Sequence, residues 1–251
     1  MHRLTVVDTR GQRRSVVLRR WLDSDKDPPA AERIRREARL LAFDAAGTES
    51  GGAPALLMTR VPGHVHLTPR DPDDWLRQMA SILPRIHAAP ISAPAYELGW
   101  GSYEPRVPDR ARDPAVWRAA IAVVQGQRAP HEPTFIHADY QHFNLLWSRE
   151  RLTGLVDWVF ASVGPRDVDV GHCRLNLAIL FSPDWAERFR QAYEAEAGRK
   201  VDPWWDLAEL LYYSADWETF IPLQVGRRAV VDRAGMTERV EDLLVAALRR
   251  L

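Results

Sequence analysis

The chain has 251 residues, of which 46% are hydrophobic and 27% charged, so an ordinary globular protein is expected and a disordered one is excluded. The 34 basic and 34 acidic residues give a formal net charge of +0, which argues against a nucleic-acid partner because such proteins use long-range attraction to phosphate. With a single cysteine, Cys173, no signal-like N-terminus and no long apolar run, we expect a soluble cytoplasmic protein without a membrane partner.

Residues 1–62 are predicted to form a small lobe rich in β-structure. Runs of β-branched residues favour strands, and the prolines after Asp27 favour a helix start. The predicted elements are a hairpin of the runs 4–8 and 15–21, a helix over 30–43 and a strand over 55–61. Pro62 and Gly63 end that strand and mark the best candidate hinge.

Residues 63–251 are predicted to form a second, mostly helical lobe, which makes the fold class α+β. Apolar residues recur there at helical spacing, while residues 90–113 form a long irregular connection. The predicted helices cover 75–89, 115–127, 169–181, 183–197 and 204–220, and a last amphipathic helix carries Val240, Leu243, Leu244, Leu248 and Leu251 on one face. Short apolar runs lie at 134–139, 144–147 and 154–161, with a turn over 148–154.

The strongest functional signal lies among these short runs. His137, Asp139 and Asn144 form the pattern H-x-D-x-x-x-x-N, and Asp157 follows the apolar run Gly-Leu-Val. Phosphoryl transfer uses these residue types: one carboxylate accepts the proton of the attacking hydroxyl, while an amide oxygen and a second carboxylate bind Mg²⁺. A β-hairpin with Asp139 and Asn144 on one arm and Asp157 on the other would bring all three to one metal-bound nucleotide.

Other interpretations of these residues stay open. His137, Asp139 and His142 could bind zinc, although zinc sites usually include a further cysteine or histidine at short spacing. His142 is expected to be a loop residue that makes a local hydrogen bond. Asp169 could either cap the helix that follows it or contact the loop around Asp139.

Three stretches, FIHADYQHFNLLW, RLTGLVDWVFASVGPRDVDVGH and PALLMTRVPG, resemble the aminoglycoside phosphotransferase and choline kinase-like family, which shares the protein-kinase fold. The resemblance spans most of the chain. It implies that Asp139 is the catalytic base, that His137 braces its loop, and that Asn144 and Asp157 bind magnesium. Asp169 resembles the aspartate that supports the catalytic loop from below.

The resemblance also assigns residues of the first lobe. Arg19 occupies the place of the phosphate-binding lysine, Glu37 looks like its partner on the helix, and Met58 lies in the strand that contacts the nucleotide. The implied activity is transfer of the γ-phosphate of ATP or GTP, with Mg²⁺, to a hydroxyl of a small molecule.

Three departures from the family stand out. The strand and glycine-containing loop that usually cover the nucleotide phosphates are expected to be missing, and a strand between Glu37 and the hinge is expected to be absent. An arginine replaces the lysine, and neither Lys26 nor Lys200 can substitute for it. We therefore expect an intact catalytic lobe with nucleotide binding that is either impaired or rescued by a partner or a second copy. The alternative is a binding or scaffold protein without catalysis.

The acceptor is not identified by the sequence. Four acidic residues lie in an aromatic-rich helical stretch and would suit a cationic substrate: Asp206, Glu209, Asp216 and Glu218. The same pattern is also typical of a helix that packs its aromatic side chains into the core.

Overall fold

A computed structural model describes residues 1–7, 9–20, 30–40, 49–50, 53–98, 104–212 and 217–251. The expected helix start at Asp27, the position of Lys26 and the acidic candidate Asp216 lie outside these residues. No helix within the described ranges is long and apolar enough to cross a membrane.

The first lobe contains an antiparallel four-stranded sheet with the strand order β1-β2-β4-β3. Its strands are β1 (His2–Val7), β2 (Arg13–Arg20), β3 (Glu49–Ser50) and β4 (Ala53–Thr59). The predicted hairpin is therefore confirmed as β1 and β2. The expectation that a strand is absent before the hinge is wrong, because β3 pairs with the start of β4, although it is only two residues long.

Helix α1 (Ala30–Leu40) packs against β4 and also against a short 3₁₀ helix, Trp158–Phe160, of the second lobe. Its buried face carries Ile34, Ala38 and, between them, Glu37, which is 1% exposed. A carboxylate at such a position needs a charged partner, because an unpaired buried charge is costly. The contact with the 3₁₀ helix places that carboxylate beside the second lobe.

The second lobe is a bundle of helices around α4, all 14 residues of which are buried. In chain order the helices are α2 (Pro72–His87), α3 (Pro114–Gln125), α4 (Asp167–Leu180), α5 (Pro183–Ala197), α6 (Pro203–Tyr212), α7 (Trp217–Val225) and α8 (Met236–Leu248). Helix α4 packs against α5, α6 and α8, and α2 packs against α5. One expectation was wrong, because Leu251 lies beyond α8 and is 63% exposed. The predicted helix over 204–220 is observed as α6 and α7 on either side of residues 213–216, which lie outside the described residues.

Two small two-stranded sheets lie between α3 and α4 and frame the candidate site. They consist of β5 (Thr134–Ile136) with β8 (Ser162–Gly164), and β6 (Leu145–Ser148) with β7 (Arg151–Leu155). The turn of the second pair is shorter than predicted, because β7 already begins at Arg151. Outside these pairs, His64 forms a β-bridge with Trp147, which fixes the segment after Gly63 against the hairpin.

Candidate active site

The loop between β5 and β6 is anchored by Asp169 at the start of α4. The carboxylate of Asp169 is fully buried and accepts hydrogen bonds from the backbone N–H groups of His137 (3.0 Å) and Ala138 (2.7 Å). The Nε2 atom of His87 lies 3.1 Å from the same carboxylate. Ala138 has a φ of 59°, a conformation that costs energy for a non-glycine residue and that these bonds hold in place. Of the two interpretations of Asp169, the structure thus favours support of the loop.

His137 ties the same loop to the end of β7. Its Nε2 lies 3.1 Å from the carbonyl oxygen of Val156, and its Nδ1 accepts a hydrogen bond of 3.3 Å from the backbone N–H of Asp139. Since a carbonyl oxygen only accepts, Nε2 is the donor to Val156. His137 therefore braces the loop through these two hydrogen bonds.

The Asp139 carboxylate is held by three neighbours. Its Oδ1 accepts from Gln141 Nε2 at 2.7 Å and lies 3.0 Å from His172 Nε2, whereas Oδ2 accepts from Asn144 Nδ2 at 2.9 Å. Burial acts to raise the pKa of Asp139, but the hydrogen bonds and positive charge of His172 and the bond from Asn144 hold it below its usual value. A carboxylate offers about four acceptor positions, so this ionised group can still accept one hydrogen bond at Oδ2.

Asn144 and Asp157 lie at the open end of the β6–β7 hairpin. The carbonyl oxygen of Asn144 accepts a hydrogen bond of 2.9 Å from the N–H of Val156. Asp157 follows Val156 in the chain, so this bond places Asp157 beside Asn144. The Asn144 side chain donates through Nδ2 to the carbonyl oxygen of Asp139 as well (2.8 Å), so Oδ1 is the side-chain atom that could hold a metal ion. Asp157 adopts a left-handed backbone with a φ of 68° and a side chain that is 34% exposed.

Arg19 links the first lobe to this hairpin. Its guanidinium donates to both oxygens of Asp157, at 2.7 and 3.1 Å, and to both oxygens of Glu37 at 3.2 Å. Burial, together with the charge of Asp157, raises the pKa of Glu37 to about 7 against the lowering effect of Arg19. The structure thus brings together three of the predicted site residues from β2, α1 and the end of β7.

Met58 lies on β4 and is half-buried. It pairs with Val17 in β2, and Arg19 pairs with Leu56, so strand alternation puts Met58 on the same face of the sheet as Arg19. This face is the one that meets the Asp157 side of the second lobe.

Sequence reasoning missed His172, which lies on α4 between two carboxylates. Its Nε2 faces Asp139, and its Nδ1 lies 3.6 Å from Oε2 of Glu209 on α6. Glu209 in turn accepts a hydrogen bond of 2.5 Å from the hydroxyl of Tyr96. The only available signal was the spacing of His172, which lies one helical turn after Asp169.

His142 does not make the local hydrogen bond that we expected. Neither ring nitrogen has a hydrogen-bond partner among the described residues, and the side chain is fully buried. Its ring packs near Trp75, Phe143 and Phe181, and burial lowers its pKa to about 3, so it is neutral. In the described part of the chain, no group of three or more histidine, cysteine or acidic side chains is arranged to hold a metal ion, which removes support for the zinc interpretation.

Three of the acidic residues considered for a cationic substrate have other partners, including Glu209, which bonds to Tyr96 and faces His172. Asp206 is fully buried and binds Arg174 and Arg250, and Glu218 lies 3.0 Å from Arg110. Asp206 is therefore part of the core of the helical lobe, where it neutralises the buried Arg174 and the partly exposed Arg250.

Residues 3–205 match the phosphotransferase enzyme family. The chain belongs to this family. The resemblance seen in the three sequence stretches is thus confirmed, and with it the kinase-like α+β fold. No match was found among curated protein sequences.

Solved structures of other phosphotransferases share the fold. Macrolide 2'-phosphotransferase type I superposes with a TM-score of 0.55 at 20% identity, covering 99% of this chain and 86% of its own. Choline kinase LicA from Streptococcus pneumoniae gives a TM-score of 0.59 at 14% identity, covering 93% and 86%. A thermostable aminoglycoside phosphotransferase APH(4)-Ia, in a ternary complex with ADP and hygromycin B, gives 0.58 at 16% identity, covering 99% and 93%.

Proposed function

We propose that this phosphotransferase moves the γ-phosphoryl group of ATP or GTP to a hydroxyl of a small molecule. The observation that carries the proposal is the joint placement of an ionised Asp139, with Oδ2 able to accept one more bond, and the Arg19–Asp157 pair beside Asn144. In this proposal residues 1–62 bind the nucleotide and residues 63–251 bind the acceptor.

The first lobe supplies the phosphate contact through Arg19. A guanidinium is always charged and its planar donors suit phosphate oxygens, so arginine can replace the lysine of the family at this position. Glu37 holds the Arg19 side chain at 3.2 Å and limits its rotation. Met58, on the same face of the sheet, offers an apolar surface to the nucleotide base.

Asn144 Oδ1 and the Asp157 carboxylate would hold Mg²⁺, because hard cations prefer such oxygen ligands. A bound Mg²⁺ would neutralise charge on the phosphates. Arg19 occupies both Asp157 oxygens, so Arg19 would have to release at least one of them for Asp157 to hold the cation, and its guanidinium could then donate to phosphate oxygens.

Asp139 orients the acceptor. The acceptor hydroxyl donates a hydrogen bond to Asp139 Oδ2, and its oxygen attacks the γ-phosphorus in line with the bond to the β,γ-bridging oxygen. The new O–P bond forms as the bridging O–P bond breaks, the nucleoside diphosphate takes the electron pair, and the hydroxyl proton passes to Asp139. Positive charge around Asp139 makes it a weak base, so most of its effect comes from orientation.

The test is transfer of labelled γ-phosphate to a panel of alcohols. The panel contains a macrolide, hygromycin B and choline, the acceptors suggested by the related structures, together with simple sugars. We expect Asp139→Asn to lower turnover by about 10²–10⁴-fold while nucleotide affinity stays the same.

Asp73→Asn is the matched control, because Asp73 is 79% exposed and pairs only with Arg188 among the described contacts. Equal turnover of the wild type, Asp139→Asn and Asp73→Asn would contradict the assignment of Asp139.

The second candidate is a nucleotide-binding scaffold without transfer. The occupation of both Asp157 oxygens by Arg19 favours it, because the Asp157 carboxylate already has a cationic partner without a metal ion or a nucleotide. Nucleotide binding with no transfer to any acceptor, in the monomer or in a dimer, would favour this candidate.

A further inference from the structure

His172 lies in an environment that favours a doubly protonated ring. Each of its two ring nitrogens faces a carboxylate: Nε2 lies 3.0 Å from Asp139 Oδ1 and Nδ1 lies 3.6 Å from Glu209 Oε2. The side chain is 1% exposed, so water cannot replace either partner. A neutral imidazole would turn a lone pair toward one of the two carboxylates, which is repulsive.

We propose that His172 is a positioning residue for Asp139: held as an imidazolium between the Asp139 and Glu209 carboxylates, it fixes Oδ1 and leaves Oδ2 for the acceptor hydroxyl. This inference rests on the proposed function for the role of Asp139. The charge state of His172 itself does not depend on it.

The packing of α4 against α6 makes the arrangement possible. A Cβ on Gly171 would lie 2.9 Å from the Cβ of Glu209, so only a glycine lets the two helices approach this closely. Tyr96 then fixes the far oxygen of Glu209 through its hydroxyl. A continuous chain of contacts runs from Tyr96 through Glu209 and His172 to Asp139.

The charges around His172 agree with this assignment. Burial alone would lower its pKa, but the Asp139 and Glu209 carboxylates raise the pKa to about 9. His142, on whose ring the charge of His172 acts, is neutral because burial lowers its pKa to about 3. One cation thus serves two buried carboxylates, both of which would otherwise be costly to ionise.

The test is the protonation state of His172 in the full-length chain, measured by NMR on protein labelled with ¹⁵N-histidine. The His172 signals are assigned by their loss in His172→Gln. We expect both ring nitrogens to be protonated at pH 7.5, with titration near pH 9. Glu209→Gln should lower the His172 pKa by about one unit or more, because it removes one of the two charges.

Glu218→Gln is the matched control, since Glu218 pairs with Arg110 and lies on another helix. It should leave the His172 titration unchanged. In His172→Gln, the ¹³C signal of the Asp139 carboxyl should show a raised pKa, an effect that a purely structural histidine would not produce. If His172→Gln does not fold, the His172 signals are assigned by their shift in Asp139→Asn.

A neutral single tautomer of His172 at pH 7.5 would overturn the proposal, as would an unchanged His172 pKa in Glu209→Gln. The measurement needs no substrate. Binding of the magnesium complex of AMP-PNP, followed by calorimetry on the same samples, reports separately on the proposed function. A chain that shows the imidazolium but binds no nucleotide would therefore refute phosphotransfer and leave the state of His172 established.

Discussion

Arg19 is the shared cationic partner of two carboxylates, Glu37 in the first lobe and Asp157 in the second. Glu37 is 1% exposed and Asp157 34% exposed, so the Glu37 side chain depends on Arg19 far more than Asp157 does. The raised pKa of Glu37, about 7, reflects this burial. A group whose pKa is raised on folding adds stability below its unfolded pKa and loses that contribution as the pH rises through the folded value.

Arg19→Met should therefore destabilise the chain more at pH 8 than at pH 5. At pH 8 Glu37 is ionised and left without its cation, which should cost about 2–4 kcal/mol of unfolding free energy, whereas at pH 5 it is protonated and the cost is smaller. Urea unfolding at the two pH values measures this. The double variant Arg19→Met/Glu37→Leu should recover most of the loss, and a pH-independent loss in Arg19→Met would contradict the account.

Some of these site residues could be predicted from the sequence, whereas others could not. Asp139, Asn144 and Asp157 lie within a short stretch with a recognisable spacing, so their proximity could be predicted. The pairing of Arg19 with Asp157 joins distant parts of the chain and was not predicted. His172 and Glu209 were not seen as partners, because a buried histidine on a fully buried helix has no sequence pattern of its own.

The β6–β7 hairpin places Asn144 and Asp157 side by side, and its turn determines its register. Arg149 and Glu150 have φ values of 48° and 61°, as in a two-residue type I′ turn. Neither residue favours this conformation. Glu150 nevertheless accepts a hydrogen bond from the N–H of Arg70 and lies 3.0 Å from His66, so its side chain compensates part of the cost.

Arg149→Asn should stabilise the chain by about 0.5–1 kcal/mol, because asparagine adopts positive φ at lower cost. Glu150→Gly is the informative comparison: it relaxes the same turn but removes the contacts to Arg70 and His66, so its gain should be smaller or absent. Thermal unfolding of both variants tests this. A lower midpoint for Arg149→Asn would mean that the turn is not of this type.

Element boundaries were predictable where local chemistry marks them. Helix α5 was predicted with its exact range, because Ser182 caps its start and Gly198 ends it in a left-handed conformation. The helical segment over 204–220 has no such local signals, and its residues 213–216 lie outside the described residues. The start of β7 was missed because the charged residues of 149–151 are typical of a longer turn.

At the scale of the molecule, the candidate site is assembled from both lobes. Arg19 comes from β2, Glu37 from α1, Asp139 from the loop after β5, and His172 from α4. The bridge between His64 and Trp147, with bonds of 3.0 and 2.9 Å, fixes the segment after the predicted hinge to the hairpin that carries Asp157. The division into lobes at residue 62 stays a prediction, and the Arg19–Asp157 pair is one of the contacts across it. In the proposed function, a bound nucleotide would rearrange this pair.

The measurement that tests the account most directly is calorimetric titration of the full chain with ATP and GTP, with and without Mg²⁺, for the wild type, Asp157→Ala and the exposed control Asp184→Asn. The account predicts that Mg²⁺ strengthens nucleotide binding in the wild type and in Asp184→Asn. In Asp157→Ala, where Arg19 remains, only weak binding that does not depend on Mg²⁺ should persist. No binding to the wild type at millimolar nucleotide, or equal Mg²⁺ dependence in Asp157→Ala, would contradict it.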